Sequence, residues 1–248
     1  MKAPAHDQEV ALHGGRLTPG VVRIGDTVRR PPTASSAFVG RLLQHVHERG
    51  FYHAPEYFGR DEQGREMFRY ISGDVPAKFR RFDDGQIRAA AKLLRKFHDA
   101  TRGSELAGNY SVVCHNDAGP NNMIFQRSLP VALIDFDLAA PGEPLSDLGY
   151  MAWAWCVSSK TERQPVSGQA LQVRCLLDAY GIRHEERAGF VDIIIERQSR
   201  NIEFWTERRR TAVCCPTETA KIDEMIEWSR RERKFTEFHR LKFLASLT

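Results

Sequence analysis

Residues 112–137, VVCHNDAGPNNMIFQRSLPVALIDFD, contain three short apolar runs that are separated by polar residues. Asp117 follows the first run, Asn122 precedes the second, and Asp135 follows the third. Apolar runs of this length, bounded by turn-forming residues, predict short buried strands. Acidic and amide side chains at the ends of neighbouring strands predict a site that binds a hard cation together with phosphate. Their oxygen atoms are the ligands that Mg²⁺ prefers.

The spacing within this stretch is H-x-D-x-x-x-x-N followed by D-F-D, which is the pattern of a kinase catalytic loop and metal loop. Phosphoryl transfer needs an aligned acceptor hydroxyl and cations on the phosphates. Asp117 is therefore the predicted base, Asn122 and Asp135 are the predicted magnesium ligands, and His115 is expected to support the loop. Asp and Asn near strand ends are also common turn formers, but three of them at this spacing are harder to reach by chance.

The stretch resembles the aminoglycoside phosphotransferase family, whose relatives include choline, ethanolamine and homoserine kinases. Its Cys-His-Asn-Asp segment at 114–117 is similar to that of choline kinases. The resemblance implies an α+β, two-lobed, protein-kinase-like fold, with a small antiparallel β N-lobe over residues 1–70 and a mainly helical C-lobe over 71–248. It further implies ATP and magnesium as cofactors, and it assigns structural support of the catalytic loop to Asp137 and Asp147.

The predicted small lobe begins with a hairpin of strands 21–24 and 27–30. Upstream, Gly14 and Gly15 are interpreted as the point where backbone approaches the nucleotide phosphates, although a simple turn explains them equally well. A second hairpin ends in Tyr70 and Ile71. By resemblance this is the hinge whose backbone holds adenine; a plain strand and turn is the alternative.

The third strand departs from the kinase pattern, because no lysine lies between Lys2 and Lys78. We expect an arginine to contact phosphate instead, and we favour Arg29 over Arg30, since alternation lets only one of them point inward. Both are alternatively exposed edge charges. The next predicted helix, from Ser35 or Ser36 to His47, has no glutamate in its body. The usual lysine–glutamate pair is therefore expected to be absent.

The second half is predicted to be helical, with helices over 86–100, 168–180 and 184–211. No long activation segment separates Asp135 from Asp147, and Asn rather than Arg precedes Asp117. Both absences favour a small-molecule acceptor with a hydroxyl group. Two acceptor classes stay open. An acid-lined pocket would suit a polycation, and a tryptophan cage would suit a choline-like cation. The residues available for these are Glu185, Glu186, Asp192, Glu196 and Glu203, and Trp153, Trp155, Trp205 and Trp228. Solvated faces and core packing are the alternatives for most of them.

Three functions are compatible with this pattern: an aminoglycoside-type phosphotransferase, a metabolite kinase of the choline or homoserine type, and a non-catalytic pseudokinase. The chain has 248 residues, with 42% hydrophobic and 27% charged residues and a net charge of +4. That charge is too small to indicate a nucleic-acid partner, and no run is long enough to predict a membrane span. Five cysteines without metal-ligand spacing, and no apolar N-terminal segment, predict a reducing cytoplasm. The oligomeric state and the choice between ATP and GTP stay open.

Overall fold

A computed structural model describes residues 8–12, 20–76, 80–211 and 216–247. The predicted phosphate-approach residues Gly14 and Gly15 lie outside these described ranges. Where the chain is described, no helix combines the length and the apolar character that crossing a bilayer requires.

The N-terminal part is a five-stranded antiparallel sheet with the strand order β1-β2-β3-β5-β4. Its strands are β1 (Val10–Ala11), β2 (Val22–Ile24), β3 (Thr27–Arg30), β4 (Tyr57–Arg60) and β5 (Glu66–Arg69). Gly25, at φ +56°, forms the tight turn between β2 and β3, as a two-residue hairpin connection requires. This part corresponds to the predicted small lobe.

Helix α1 (Ser36–Glu48) covers one face of the sheet. Its apolar residues recur at helical spacing, and Leu42, Leu43 and Val46 are almost fully buried. Burying each of these side chains contributes about 1.5–3 kcal/mol relative to exposure. The helix therefore fixes which face of β3 and β5 is the inner one.

A two-residue ladder joins the sheet to the rest of the molecule. Asp74 exchanges both backbone hydrogen bonds with Phe125, at 2.9 and 2.8 Å. Gly73 precedes it at φ +147°, and a Cβ there would lie 2.5 Å from Ile124 Cγ2 and from the Phe125 carbonyl oxygen. Only glycine fits this connection without displacing its neighbours.

The C-terminal part starts with α2 (Asp84–Thr101), where the carboxylate of Asp83 accepts from the backbone of Gln86 in a capping box. Two antiparallel strand pairs follow: β6 with β9, and β7 with β8. Their bounds are β6 (Val112–Cys114), β7 (Met123–Gln126), β8 (Leu129–Leu133) and β9 (Ala140–Gly142). They present the predicted catalytic residues at their ends, as the apolar runs indicated.

The rest of the described chain contains five helices: α3 (Pro144–Trp155), α4 (Val166–Tyr180), α5 (Phe190–Thr211), α6 (Pro216–Phe238) and α7 (Arg240–Leu247). The predicted helix 184–211 is wrong in its first turns, because α5 begins only at Phe190 and a 3₁₀ turn occupies 184–186. Arg187 holds this segment against α4 by donating to Ile182 O and to Asp178 Oδ1 at 2.6 Å.

The core is continuous from α1 through α2 to α3 and α4. Phe97 of α2 and Trp155 of α3 are fully buried. Trp155 stacks on Phe125 with ring centroids 6.1 Å apart and also contacts Phe82. This packing anchors the elements on which the catalytic loop rests. The architecture is the α+β, two-lobed, protein-kinase-like fold that the sequence predicts.

Candidate active site

Asp147, in the first turn of α3, is fully buried beneath the loop that follows β6. Its Oδ2 accepts from the backbone N–H of His115 at 2.6 Å, and its Oδ1 accepts from that of Asn116 at 2.9 Å. His98 Nε2 donates to Oδ2 at 3.1 Å, and His98 Nδ1 shares a hydrogen bond with the Tyr180 hydroxyl at 2.7 Å. Burial alone would raise the pKa of Asp147, but the hydrogen bond from His98 and those from the loop hold it below its ordinary value.

His115 is buried and bonded at both ring nitrogens. Its Nδ1 accepts from the backbone N–H of Asp117 at 3.3 Å, so its Nε2 carries the proton and donates to Ile134 O at 3.0 Å. The ring packs against Phe136 with centroids 4.7 Å apart. His115 thus ties the loop after β6 to the segment after β8, which fits the predicted supporting role better than proton transfer.

Both oxygens of the Asp117 carboxylate accept hydrogen bonds. Asn122 Nδ2 donates to Oδ2 at 2.7 Å and also to the Asp117 carbonyl at 2.9 Å. The hydroxyl of Tyr150, from α3, donates to Oδ1. Burial and the charge of Asp117 raise the pKa of Tyr150 well above its ordinary value, so it stays a donor. The carboxylate is therefore fixed in orientation while it remains half-buried. We call the space between the N-terminal sheet and the segments that carry Asp117 and Asp135 the cleft, and the ion pair of Arg30 with Asp137 crosses it.

Asn116 occupies the left-handed region at φ +63°, a strained conformation for a residue other than glycine. Arg197 of α5 holds it there, since Nη2 donates to the Asn116 carbonyl at 2.9 Å. The same guanidinium lies over the Tyr150 ring, 5.5 Å from its centroid. Protein kinases carry an arginine at the position of Asn116, whereas here an arginine from a distant helix contacts the loop.

Asp135 also has a positive φ, +63°, directly after β8. Among the described residues its carboxylate has no hydrogen-bond or ion-pair partner, although it lies open to the cleft. Surrounding protein atoms that displace water raise its pKa, and the negative charges of Asp137 and Asp117 raise it further. An accessible carboxylate with like charges nearby and no ion-pair partner in the described residues suits a divalent ion with oxygen ligands. Asp135 therefore fits the magnesium site that the resemblance implies, and Asn122 could add its Oδ1, which here accepts from Asn121 Nδ2 at 3.0 Å.

The structure places Arg30, and not the favoured Arg29, beside this segment. Arg30 Nη2 donates to Asp137 Oδ1 at 2.7 Å, and its Nε donates to Glu66 Oε2 at 3.0 Å. Arg29 points to the opposite face, where Nε contacts Thr27 Oγ1 at 3.2 Å and Nη1 lies 3.8 Å from Asp61. The correction follows from the face that α1 covers, which decides the inner side of β3 and cannot be known from alternation alone.

At the hinge, the two predicted adenine contacts differ in availability. The backbone N–H of Tyr70 donates to the Asp26 carbonyl at 2.8 Å, and its ring lies 3.8 Å from the guanidinium of Arg23. The backbone of Ile71 has no hydrogen-bond partner among the residues that the structure describes. The Tyr70 N–H is thus engaged within the sheet, and Ile71 stays a predicted adenine contact.

On the acceptor side, four of the five candidate acids form exposed ion pairs with arginines. These are Glu185 and Glu186 with Arg183, Asp192 with Arg240, and Glu196 with Arg200. They belong to solvated helix faces rather than to a pocket for a polycation.

The four tryptophans do not form one cage. Trp155 is core, and Trp205 packs edge-on against Phe204. Trp153 and Trp228 stack with ring centroids 4.8 Å apart and planes 15° apart, which leaves no room for a cation between them. These two rings line a small cavity next to Tyr150, together with Arg163 and Glu232.

Tyr150, Arg197 and Glu66 are absent from the residues that the sequence pointed to. Tyr150 lies three residues after Asp147 on the same helix, so the two side chains lie on one face of α3. This spacing is the one feature of the sequence that could have pointed to Tyr150. Arg197 and Glu66 carry no local motif, because their partners are 81 and 36 positions away.

Comparison with known proteins adds three findings. The model of the phosphotransferase enzyme family matches residues 105–187. The trifolitoxin immunity protein of Rhizobium leguminosarum bv. trifolii is 30% identical over 265 residues, which cover 97% of this chain and 99% of that protein.

Solved structures show the same fold. A choline/ethanolamine kinase family protein from Mesorhizobium loti superposes with a TM-score of 0.60 at 18% identity, covering 97% of this chain and 92% of that one. An aminoglycoside phosphotransferase from Alicyclobacillus acidocaldarius gives 0.60 at 14% identity, covering 98% and 92%.

Proposed function

This chain belongs to the phosphotransferase enzyme family, and from that premise we propose that it transfers the γ-phosphoryl group of ATP to a hydroxyl group of a small molecule. The observation that carries the proposal is the Asp117 carboxylate, which Asn122 and Tyr150 orient at the cleft. Asp147 holds the loop beneath it. An acid fixed in this way serves as a base for an incoming hydroxyl.

The residues around the cleft take distinct roles. Asp117 accepts a hydrogen bond from the acceptor hydroxyl, aims its oxygen and takes its proton as transfer proceeds. Asn122 and Asp135 would hold magnesium, which neutralises phosphate charge when bound. His115, Asp137 and Asp147 keep the two loops in place. With residues 1–70 as the nucleotide-binding lobe and 71–248 as the catalytic lobe, ATP lies between them.

Nucleotide contacts follow from the same arrangement. Ile71 offers adenine backbone groups that have no partner in the described parts of the chain, and Arg30 offers its guanidinium to phosphate. We assign Arg30 this role in place of Arg29. Gly14 and Gly15 remain proposed for backbone approach to the phosphates. We place this activity in the cytoplasm, where ATP is available. The reducing conditions there also agree with the free thiols of Cys114, Cys156 and Cys175.

The acceptor is the open part of the proposal. The full-length similarity to a toxin immunity protein favours an acceptor that is a toxin or antibiotic, which phosphorylation would inactivate. A metabolite kinase of the choline or ethanolamine type is the second candidate, because a protein of that kinase family shares the fold. The rings of Trp153 and Trp228 stack directly on each other, which weighs against a choline-binding cage between them.

A pseudokinase is the remaining alternative, and intact Asp117, Asn122 and Asp135 weigh against it. The deciding experiment is an acceptor screen read by ADP release, run in parallel on the wild type and Asp117→Asn. We expect the variant to lose at least ~10²-fold in turnover, as the loss of a base should cause, while ATP binding stays nearly intact. Equal turnover of the two proteins on a true acceptor would remove Asp117 from its role.

A further inference from the structure

An ion pair lies within the sheet at the position of the proposed phosphate-binding arginine. Arg30 on β3 and Glu66 on β5 face each other in register, and Arg30 Nε lies 3.0 Å from Glu66 Oε2. Glu66 is 0% exposed, and its Oε1 has no partner in the described parts of the chain. A buried carboxylate with one unpaired oxygen is costly to keep, so this pair needs a reason other than packing.

The absence of a glutamate from the body of helix α1 suggests a reason for this ion pair. Protein kinases orient their strand cation with a glutamate on the following helix. Here α1 contains no carboxylate before Glu48, its last residue. Glu66 contacts the equivalent cation from the neighbouring strand instead. The glutamate that contacts Arg30 therefore comes from within the hydrogen-bonded sheet and not from α1.

The other edge of the guanidinium is engaged across the cleft. Arg30 Nη2 donates to Asp137 Oδ1 at 2.7 Å, and Ser35 Oγ contacts the same oxygen at 3.3 Å. Carboxylate and phosphate oxygens match the guanidinium fork in the same way. Asp137, two residues after the predicted metal ligand Asp135, thus occupies this edge of Arg30.

We propose that Glu66 is the positioning residue for Arg30 in nucleotide binding, and that Asp137 occupies the free edge of Arg30 until a nucleotide phosphate replaces it. This inference rests on the proposed function. It assigns the two anions opposite effects: Glu66 prepares Arg30 for phosphate, and Asp137 competes with phosphate.

The test is the preference of the protein for ATP over adenosine, taken as the ratio of the two dissociation constants measured by calorimetry. Because adenosine has no phosphate, the ratio isolates the contribution of the phosphate contacts. We expect Glu66→Gln to reduce the ratio about 10-fold, since it removes the charge that orients a charge-assisted contact, and Arg30→Ala to reduce it at least as much. Asp137→Asn should raise the ratio.

Arg29→Ala is the matched control, because it removes an adjacent arginine that faces the other side of the strand. Its ratio should equal that of the wild type. Should Glu66→Gln fail to fold, Glu66→Asp carries the test, since it keeps the charge but withdraws the carboxylate by one methylene; it too should lower the ratio.

A merely structural Glu66 would weaken ATP and adenosine binding equally, and an unchanged ratio in folded Glu66 variants would overturn the inference. That result would leave the proposed function standing. A wild-type protein that binds neither ligand would instead count against the proposed function itself.

Discussion

The hydroxyl of Tyr150 donates to Oδ1 of Asp117, so the proposed base is oriented by a side chain from α3 as well as by its own loop. Tyr150 is itself held by the packing of α3 and by the guanidinium of Arg197 above its ring. The position of the carboxylate therefore depends on the helical part of the molecule.

Tyr150→Phe should lower kcat about 10-fold, because it removes one charge-assisted hydrogen bond to the base. The KM for ATP should change little, since the nucleotide contacts lie elsewhere. Steady-state kinetics with saturating acceptor provide the measurement. Tyr110→Phe, which alters an exposed phenol, is the control, and an unchanged kcat in Tyr150→Phe would show that the hydroxyl does not act on Asp117.

Asp135→Ala should abolish the magnesium dependence of nucleotide binding, because it removes the accessible carboxylate assigned to the ion. Calorimetric titration with ATP, with and without magnesium, measures this effect, and adenosine serves as the control ligand whose affinity should not change. The same ATP affinity in the variant and the wild type, at the same magnesium concentration, would refute the assignment.

The stability of Glu232→Gln relative to the wild type should be higher at neutral pH than at acidic pH. Burial raises the pKa of Glu232, against the opposing hydrogen bonds from Ser159 and the charge of Arg163. The folded state therefore binds this proton more tightly than the unfolded state, and the stability contributed by the group falls as pH rises above the unfolded pKa. Glutamine cannot ionise and escapes that loss.

The measurement for Glu232 is the difference in Tm between variant and wild type at pH 4.5 and at pH 7.5, which should become more positive at the higher pH. Glu237→Gln, an exposed change on the same helix, is the control. A difference that is flat or reversed with pH would contradict the expected protonation of Glu232.

Gly73→Ala should destabilise the protein by at least about 2 kcal/mol, because its positive φ and the nearby Ile124 and Phe125 both reject a Cβ. Gly189→Ala is the matched control, with open space around the added methyl, and should change stability by less than about 0.5 kcal/mol. Urea unfolding of both variants measures the difference, and equal stabilities would show that the hinge adjusts freely.

The sequence predicts the catalytic stretch well because its information is local. The short runs around Asp117, Asn122 and Asp135 form strands whose ends must carry those side chains wherever the rest of the chain lies. Helices with clear apolar periodicity, such as α2, are predicted within two residues at each end. The bounds of such helices can be predicted from the spacing of their apolar residues alone.

The features that the sequence does not predict depend on contacts between residues that are far apart in the chain. The choice of Arg30 over Arg29 depends on which face of the sheet α1 covers. The partners of Asn116 and Arg30 depend on the approach of α5 and on the pairing of β3 with β5. The role of the two stacked tryptophans depends on how closely α3 and α6 approach, which no residue pattern encodes.

Helix α3 carries Asp147, Tyr150 and Trp153 at three-residue steps. A single helix therefore connects the residue beneath the loop, the hydroxyl that orients Asp117 and one wall of the small cavity. A substitution on α3 that reshapes this cavity would also shift the groups that orient Asp117. Helix α6 supplies Trp228 to the same cavity and, among the described residues, makes no hydrogen bond to Asp117. Changes of cavity shape made through α6 therefore leave the orientation of Asp117 in place.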